Sequence, residues 1–161
     1  MKKPFLNIDE ITEFEQSSNG KYEEKYAPIS PLIGAEKLGY SLSIVPPGKR
    51  VCPFHNHQVN EEMFLILEGE GTLRFGNKEY QIKKHDIIAC PPGGKEVAHQ
   101  IINTSNSDLK YLCLSTNKPV EICEYPDSNK VLAMVGEQGN RKFRYMVKAD
   151  QDVDYLDGEL E

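Results

Sequence analysis

The chain has 161 residues, with 19 Lys and Arg against 25 Asp and Glu and a formal net charge of −6. A chain of that length suits one domain with short extensions, able to bury about 70% of its unfolded surface without disulfides. The basic residues are scattered rather than striped, which argues against a nucleic-acid surface built on a basic patch. No apolar run approaches a membrane span, the longest covering residues 63–67.

At the N-terminus two lysines are followed by no apolar segment, so no secretory signal is read there. The four cysteines, Cys52, Cys90, Cys113 and Cys123, show neither CxxC spacing nor scaffold density. They are expected as reduced thiols in a cytoplasmic protein. Residues 7–15 read as a helical turn or two capped by Asn7 or Asp9. Thereafter short β-rich runs dominate: 38–45, 63–67, 72–75, 78–82, 86–89, 98–103 and 110–116. Gly, Pro and Asn punctuate them, as at Pro46-Pro47-Gly48, Gly69-Glu70-Gly71 and the Gly76-Asn77 hairpin. Such spacing predicts an all-β sandwich or barrel. The run 63–67 is apolar on both faces, so it needs cover inside the barrel and outside, from an N-terminal arm or a second subunit. Beyond Pro119 the signal weakens to isolated strands at 121–126 and 142–147. The expected organisation is an N-terminal arm (1–37), a barrel (38–118) and a C-terminal extension packed on it (119–161).

The informative stretch is His55-Asn56-His57-Gln58-Val59-Asn60-Glu61-Glu62. On a strand, residues i and i+2 share a face, so His55 and His57 present two imidazoles together. A few residues later Glu62 or the adjacent Glu61 offers a carboxylate. Two imidazoles and one carboxylate suit Mn, Fe, Co, Ni or Zn better than Ca or Mg. The same HxH pattern also arises by chance on exposed strands.

Gly48 followed by His55-x-His57-x4-Glu62-x6-Gly69 resembles the first cupin motif, with one extra residue before the first histidine. Pro91-x-Gly93-x5-His99-x3-Asn103 resembles the second, with a longer gap before its histidine. The resemblance implies a double-stranded β-helix, or jelly roll, with N- and C-terminal extensions. It implies one divalent transition metal ion held by His55, His57, Glu62 and His99. Strand alternation adds Phe64, Ile66 and Ile101 as residues lining the pocket. His85 stands where the family usually has a turn glycine, and is expected to take positive φ at the surface rather than to be a ligand. Lys95 and Glu96 read as a solvated loop pair, and the cysteines as small apolar residues. The segments around Glu124-Tyr125-Pro126 and Asp154-Tyr155-Leu156 are similar to small bacterial cupins, some labelled sugar-phosphate-isomerase-like by fold.

Two functions are compatible with this reading. One is a metalloenzyme of isomerase, lyase or dioxygenase type acting on a small oxygenated or sugar-like molecule, with its catalytic acid or base not identified. The other is a non-catalytic, metal-dependent small-ligand or sensory module. No nucleic-acid or membrane partner is expected, and pairing through an outer sheet to a homodimer is.

Overall fold

In the computed structural model, residues 2–137 and 139–159 are described. Thirteen strands follow one another: β1 (Glu15–Asn19), β2 (Tyr22–Pro28), β3 (Leu38–Val45), β4 (Asn56–His57), β5 (Glu62–Glu68), β6 (Glu70–Phe75), β7 (Lys78–Lys83), β8 (Ile87–Cys90), β9 (His99–Ile102), β10 (Leu109–Thr116), β11 (Val120–Tyr125), β12 (Lys130–Glu137) and β13 (Asn140–Lys148). Helix is confined to single turns, including a 3-10 turn at Ile8–Glu10 whose Asp9 N–H donates to the Asn7 side chain over 3.0 Å. No helix among the described residues is long and apolar enough to cross a membrane.

The strands form two walls. One is a six-stranded sheet in the order β1-β2-β3-β10-β5-β8. The other joins β13-β12-β11-β4 to β7-β6-β9 through a backbone bridge between His55 and His99. Inward side chains of both walls meet in a core of Val45, Phe64, Ile66, Leu73, Ile82, Ile88, Cys90, Ile101, Leu109 and Tyr111. Each such side chain stabilises the fold by roughly 1.5–3 kcal/mol. This is the double-stranded β-helix that the motif resemblance implies, within the all-β class that the strand spacing predicts.

Strand alternation explains the doubly apolar run at 63–67. Phe64 and Ile66 point inward, whereas Leu67 joins a second cluster outside the sheet with Leu42, Leu112, Ala27 and Ile29. The chain's own arm covers that cluster through Leu6, Ile8, Ile11 and Phe14. The arm thus covers Leu67, while Met63 and Leu65 on the same face are half-buried outside that cluster.

Both motifs also serve the backbone. Gly48, at φ 75°, donates its N–H to the Asn103 carbonyl over 2.9 Å. The buried Asn103 amide in turn donates to the carbonyls of Val45 and Ser107, each over 2.7 Å. In the Gly76-Asn77 hairpin only Gly76 takes positive φ (56°). His85 does so too, at φ 77°, and lies exposed as its place in the turn requires.

Candidate metal centre

Three short pieces of chain position the cluster. His55 and His99 exchange backbone hydrogen bonds of 3.1 and 2.7 Å, which sets their rings side by side with centroids 4.7 Å apart. His57 ends β4, two residues after His55, so both imidazoles share one face. Glu62 opens β5 on the opposite wall and points inward. Its neighbour Glu61 is exposed, so the carboxylate that joins the histidines is that of Glu62. The Pro91-Pro92-Gly93-Gly94 loop is pinned to β4: Gly93 N–H donates to the His57 carbonyl (2.8 Å), and the buried Asn56 amide donates to the Gly93 carbonyl (2.7 Å).

One carboxylate oxygen, Glu62 Oε2, lies 3.0 Å from His99 Nε2, 3.4 Å from His57 Nε2 and 3.8 Å from His55 Nε2. Each ring turns its other nitrogen to an acceptor. His55 Nδ1 is 2.9 Å from the Pro53 carbonyl, His99 Nδ1 is 3.2 Å from the Val97 carbonyl, and His57 Nδ1 is 3.3 Å from Glu121 Oε2. Protons on Nδ1 satisfy those acceptors and leave three Nε2 lone pairs facing one anionic oxygen. Lone pairs and a carboxylate repel one another unless a cation lies among them. His57 Nε2 is buried and has no hydrogen-bond partner. Three imidazoles and a carboxylate with their lone pairs aimed inward are therefore a donor set that fits a borderline divalent ion.

The electrostatics agree. Burial, with repulsion from His99, pushes His55 down to about 4. Burial works against a proton on His57 as well, yet contacts with Cys123 and Glu62 outweigh it and carry the group up to about 11. Burial also works to raise Glu62, but the adjoining His57 and His99 imidazoles hold it well below the usual carboxylate range. In the absence of a metal, the cation the cluster holds is a proton on His57.

Strand β11 supplies residues that the sequence reading left unassigned. It pairs with β4 so that Cys123 faces His57, and alternation turns Glu121, Cys123 and Tyr125 the same way. Glu121 is 1% exposed, and its carboxylate accepts from the N–H groups of Val59 (3.1 Å), Asn60 (2.8 Å) and Ile122 (2.8 Å). Cys123 Sγ lies 3.3 Å from His57 Nδ1, and Tyr125 stacks on His55 with centroids 6.1 Å apart. Ligand-capable atoms of His55, Glu62 and His99 lie within 4.8 Å of one another, as do those of His57, Glu121 and Cys123. The sequence signals for these residues are the isolated strand read at 121–126 and the resemblance of the segment around Glu124-Tyr125-Pro126 to small bacterial cupins.

Of the lining candidates, Phe64 packs its edge against the His99 ring, centroids 5.9 Å apart, while Ile66 and Ile101 belong to the apolar core beside it. Lys95 and Glu96 are exposed, and Glu96 accepts from the Gly94 N–H of its own loop. All four cysteines are free thiols, and burial pushes Cys90 up to about 12.

Comparison with known proteins follows the same lines. The cupin domain profile matches residues 41–115. An uncharacterized protein of Methanocaldococcus jannaschii is 40% identical over 79 residues, 49% of this chain and 60% of that protein. The chain thus spans less than two thirds of that relative's length. The oxalate-binding protein of Thermotoga maritima is 36% identical over 114 residues, covering 68% of this chain and 90% of that one. Among solved structures, a putative sugar phosphate isomerase from Acidithiobacillus ferrooxidans superposes with a TM-score of 0.82 at 24% identity, covering 94% of this chain and 96% of that one. At that identity the likeness speaks for the fold.

Proposed function

The chain belongs to the cupin family, and from that premise we propose that it is a metal-dependent enzyme for a small oxygenated molecule, with His55, His57, Glu62 and His99 holding one divalent transition metal ion. The observation that carries this reading is the convergence of three Nε2 atoms on a single oxygen of Glu62 at 3.0–3.8 Å. When bound, such an ion supplies Lewis acidity toward a carbonyl or enediolate oxygen or, as iron(II), activation of dioxygen.

The chain's own residues have separable parts. Glu121 fixes the His57 tautomer from behind and keeps its Nε2 turned to the centre. Phe64 and the apolar cluster around it close one side of the histidines to water. Tyr125 places a ring over His55, with a hydroxyl that burial pushes up to about 12, so it stays protonated at neutral pH and able to donate a hydrogen bond.

Elemental analysis tests the reading directly. Protein purified without added metal is expected to carry near one transition-metal equivalent per chain, and His57→Ala or Glu62→Gln to lose most of it. Less than a tenth of an equivalent, even after reconstitution, would end the proposal. The name of the Thermotoga maritima relative favours a second reading, in which the metal anchors a small dicarboxylate without turnover. Metal-dependent binding of oxalate with no product formed would select that alternative.

A further inference from the structure

Gly39 is the second residue of β3, paired with Ser115 of β10 and lying beyond the last β2 pairing at Ser41, and its φ is not in the positive range that calls for glycine. A glycine in a strand interior weakens it, so this one needs another reason. A Cβ built there would lie 2.8 Å from Ser115 Oγ and 3.2 Å from Asn117 Oδ1. Two polar side chains thus converge over the bare backbone of Gly39. Both are half-buried, and neither side chain has a hydrogen-bond partner among the described residues.

This cradle lies in a groove of about 840 Å³ that includes Tyr26, Ser41, Lys37 and Lys118 in its lining. Ser115, in the lining of this groove, ties it to the metal cluster through strand pairing. Ser115 is the direct cross-strand partner of Gly39 on one side and of Glu62 on the other. Directly opposed residues share a face, so Glu62, Ser115 and Gly39 form one inward row. The cradle is then two strand spacings, roughly 10 Å, from Glu62. Lys37 and Lys118 flank it, since the Asn117 N–H donates to the Lys37 carbonyl over 2.9 Å and Lys118 follows in the chain. Neither lysine makes an ion pair among the described residues. The acidic residues Glu36 and Glu137 and the cation Arg141 complete the rim.

We propose that the Gly39–Ser115–Asn117 cradle is the distal subsite for a hydroxylated anion, a sugar phosphate or sugar acid, whose other end lies at Glu62 and the histidines. The proposal rests on the metal-centre reading and names the substrate class for it. Ser115 and Asn117 meet hydroxyl groups along the row, and Lys37 and Lys118 meet the anionic terminus. A pentose phosphate is long enough to span the row, and oxalate is not.

Isothermal titration of the full-length, metal-loaded chain tests this with ribose 5-phosphate, and with ribose, inorganic phosphate and oxalate as separate arms. Ribose 5-phosphate is expected to bind more tightly than ribose or phosphate alone. Gly39→Ala, whose methyl fills the cradle and displaces only side chains, should weaken it roughly tenfold or more while leaving metal content and any oxalate binding unchanged. Lys118→Glu, at an exposed position that cannot unfold the barrel, should do the same and decides the matter if Gly39→Ala misfolds. Metal at one equivalent without ribose 5-phosphate binding would overturn the subsite and leave the metal centre standing. So would binding that both variants retain, or phosphate alone binding as tightly. A chain that takes up no metal sinks the reading beneath it, a separate and visible outcome.

Discussion

Glu121 Oε2 lies 3.3 Å from His57 Nδ1, a contact made across 64 residues of chain between a buried carboxylate and an imidazole of the metal cluster. Three backbone N–H groups hold the carboxylate in place before the imidazole does, so its position does not depend on the histidine. An acceptor fixed behind a ligand raises the basicity of the opposite nitrogen and fixes the ring. Glu121→Gln is therefore expected to lower metal affinity about 10- to 100-fold, and to cost about 1–3 kcal/mol because its amide turns a donor toward backbone donors. Chelator competition and urea unfolding measure the two effects. Affinity equal to wild type would remove Glu121 from the centre's support.

Metal removal gives a second outcome. A ligand that binds only the folded chain stabilises it by about 2.7 kcal/mol at a hundredfold excess over its dissociation constant. Stripping with a chelator should lower the melting temperature of the wild type by several degrees. His99→Ala should show little such shift, since its backbone bridge to His55 survives while its Nε2 is gone. A chelator-induced shift equal in both proteins would take His99 out of the ligand set.

Much of the barrel is legible in the sequence because its strands alternate over a hydrophobic core and its turns carry Gly, Pro or Asn. The run at 38–45 is β3 residue for residue, and the doubly apolar run at 63–67 announces cover on both sides. Strands β1 and β2 escape the same reading. Gln16, Ser17 and Ser18 are exposed, and Glu23, Glu24 and Lys25 interrupt any apolar alternation, so pairing rather than burial defines those strands. Within the site, His55, His57 and Glu62 are close in sequence and their spacing carries the geometry. Glu121, Cys123 and Tyr125 reach the cluster only through the pairing of β11 with β4, a register no local pattern encodes. Gly39 was equally silent, since a glycine that makes room cannot be told from one that bends the chain until the neighbouring side chains are in place.

Protonation of the metal-free cluster predicts the pH profile of its stability. His55 is lowered from 6.5 to about 4 on folding, so its contribution is present above pH 6.5 and is lost as pH falls toward 4. Glu62, held low, acts in the same direction at still lower pH. His57 is raised from 6.5 to about 11, so its contribution is full below pH 6.5 and is lost as pH rises toward 11. Metal-free protein should therefore be most stable near pH 6–7 and weaken on both sides. With metal bound, the proton on His57 is displaced, so affinity should fall on acidification and the alkaline loss should shrink. Thermal unfolding across pH with and without chelator reads both. A flat metal-free profile from pH 4 to 10 would contradict the cluster's electrostatics.

His85 carries the last prediction. Its φ of 77° places a residue with a Cβ where glycine is at ease, in the turn that joins β7 to β8. The turn is held by its backbone: His85 N–H donates to the Ile66 carbonyl over 2.8 Å, and Asp86 N–H to the Lys83 carbonyl over 3.0 Å. The imidazole is exposed, so removing it forfeits no packing. Relief of backbone strain then outweighs the extra freedom that glycine gives the unfolded chain. His85→Gly should stabilise the protein by about 0.5–1 kcal/mol, and His85→Val should destabilise it by about 1 kcal/mol or more, since a β-branched residue tolerates positive φ least. Metal content should be untouched in both. A fall in bound metal in His85→Gly would make the imidazole a ligand after all, and a loss of stability would mean that the ring, not the backbone, holds the turn.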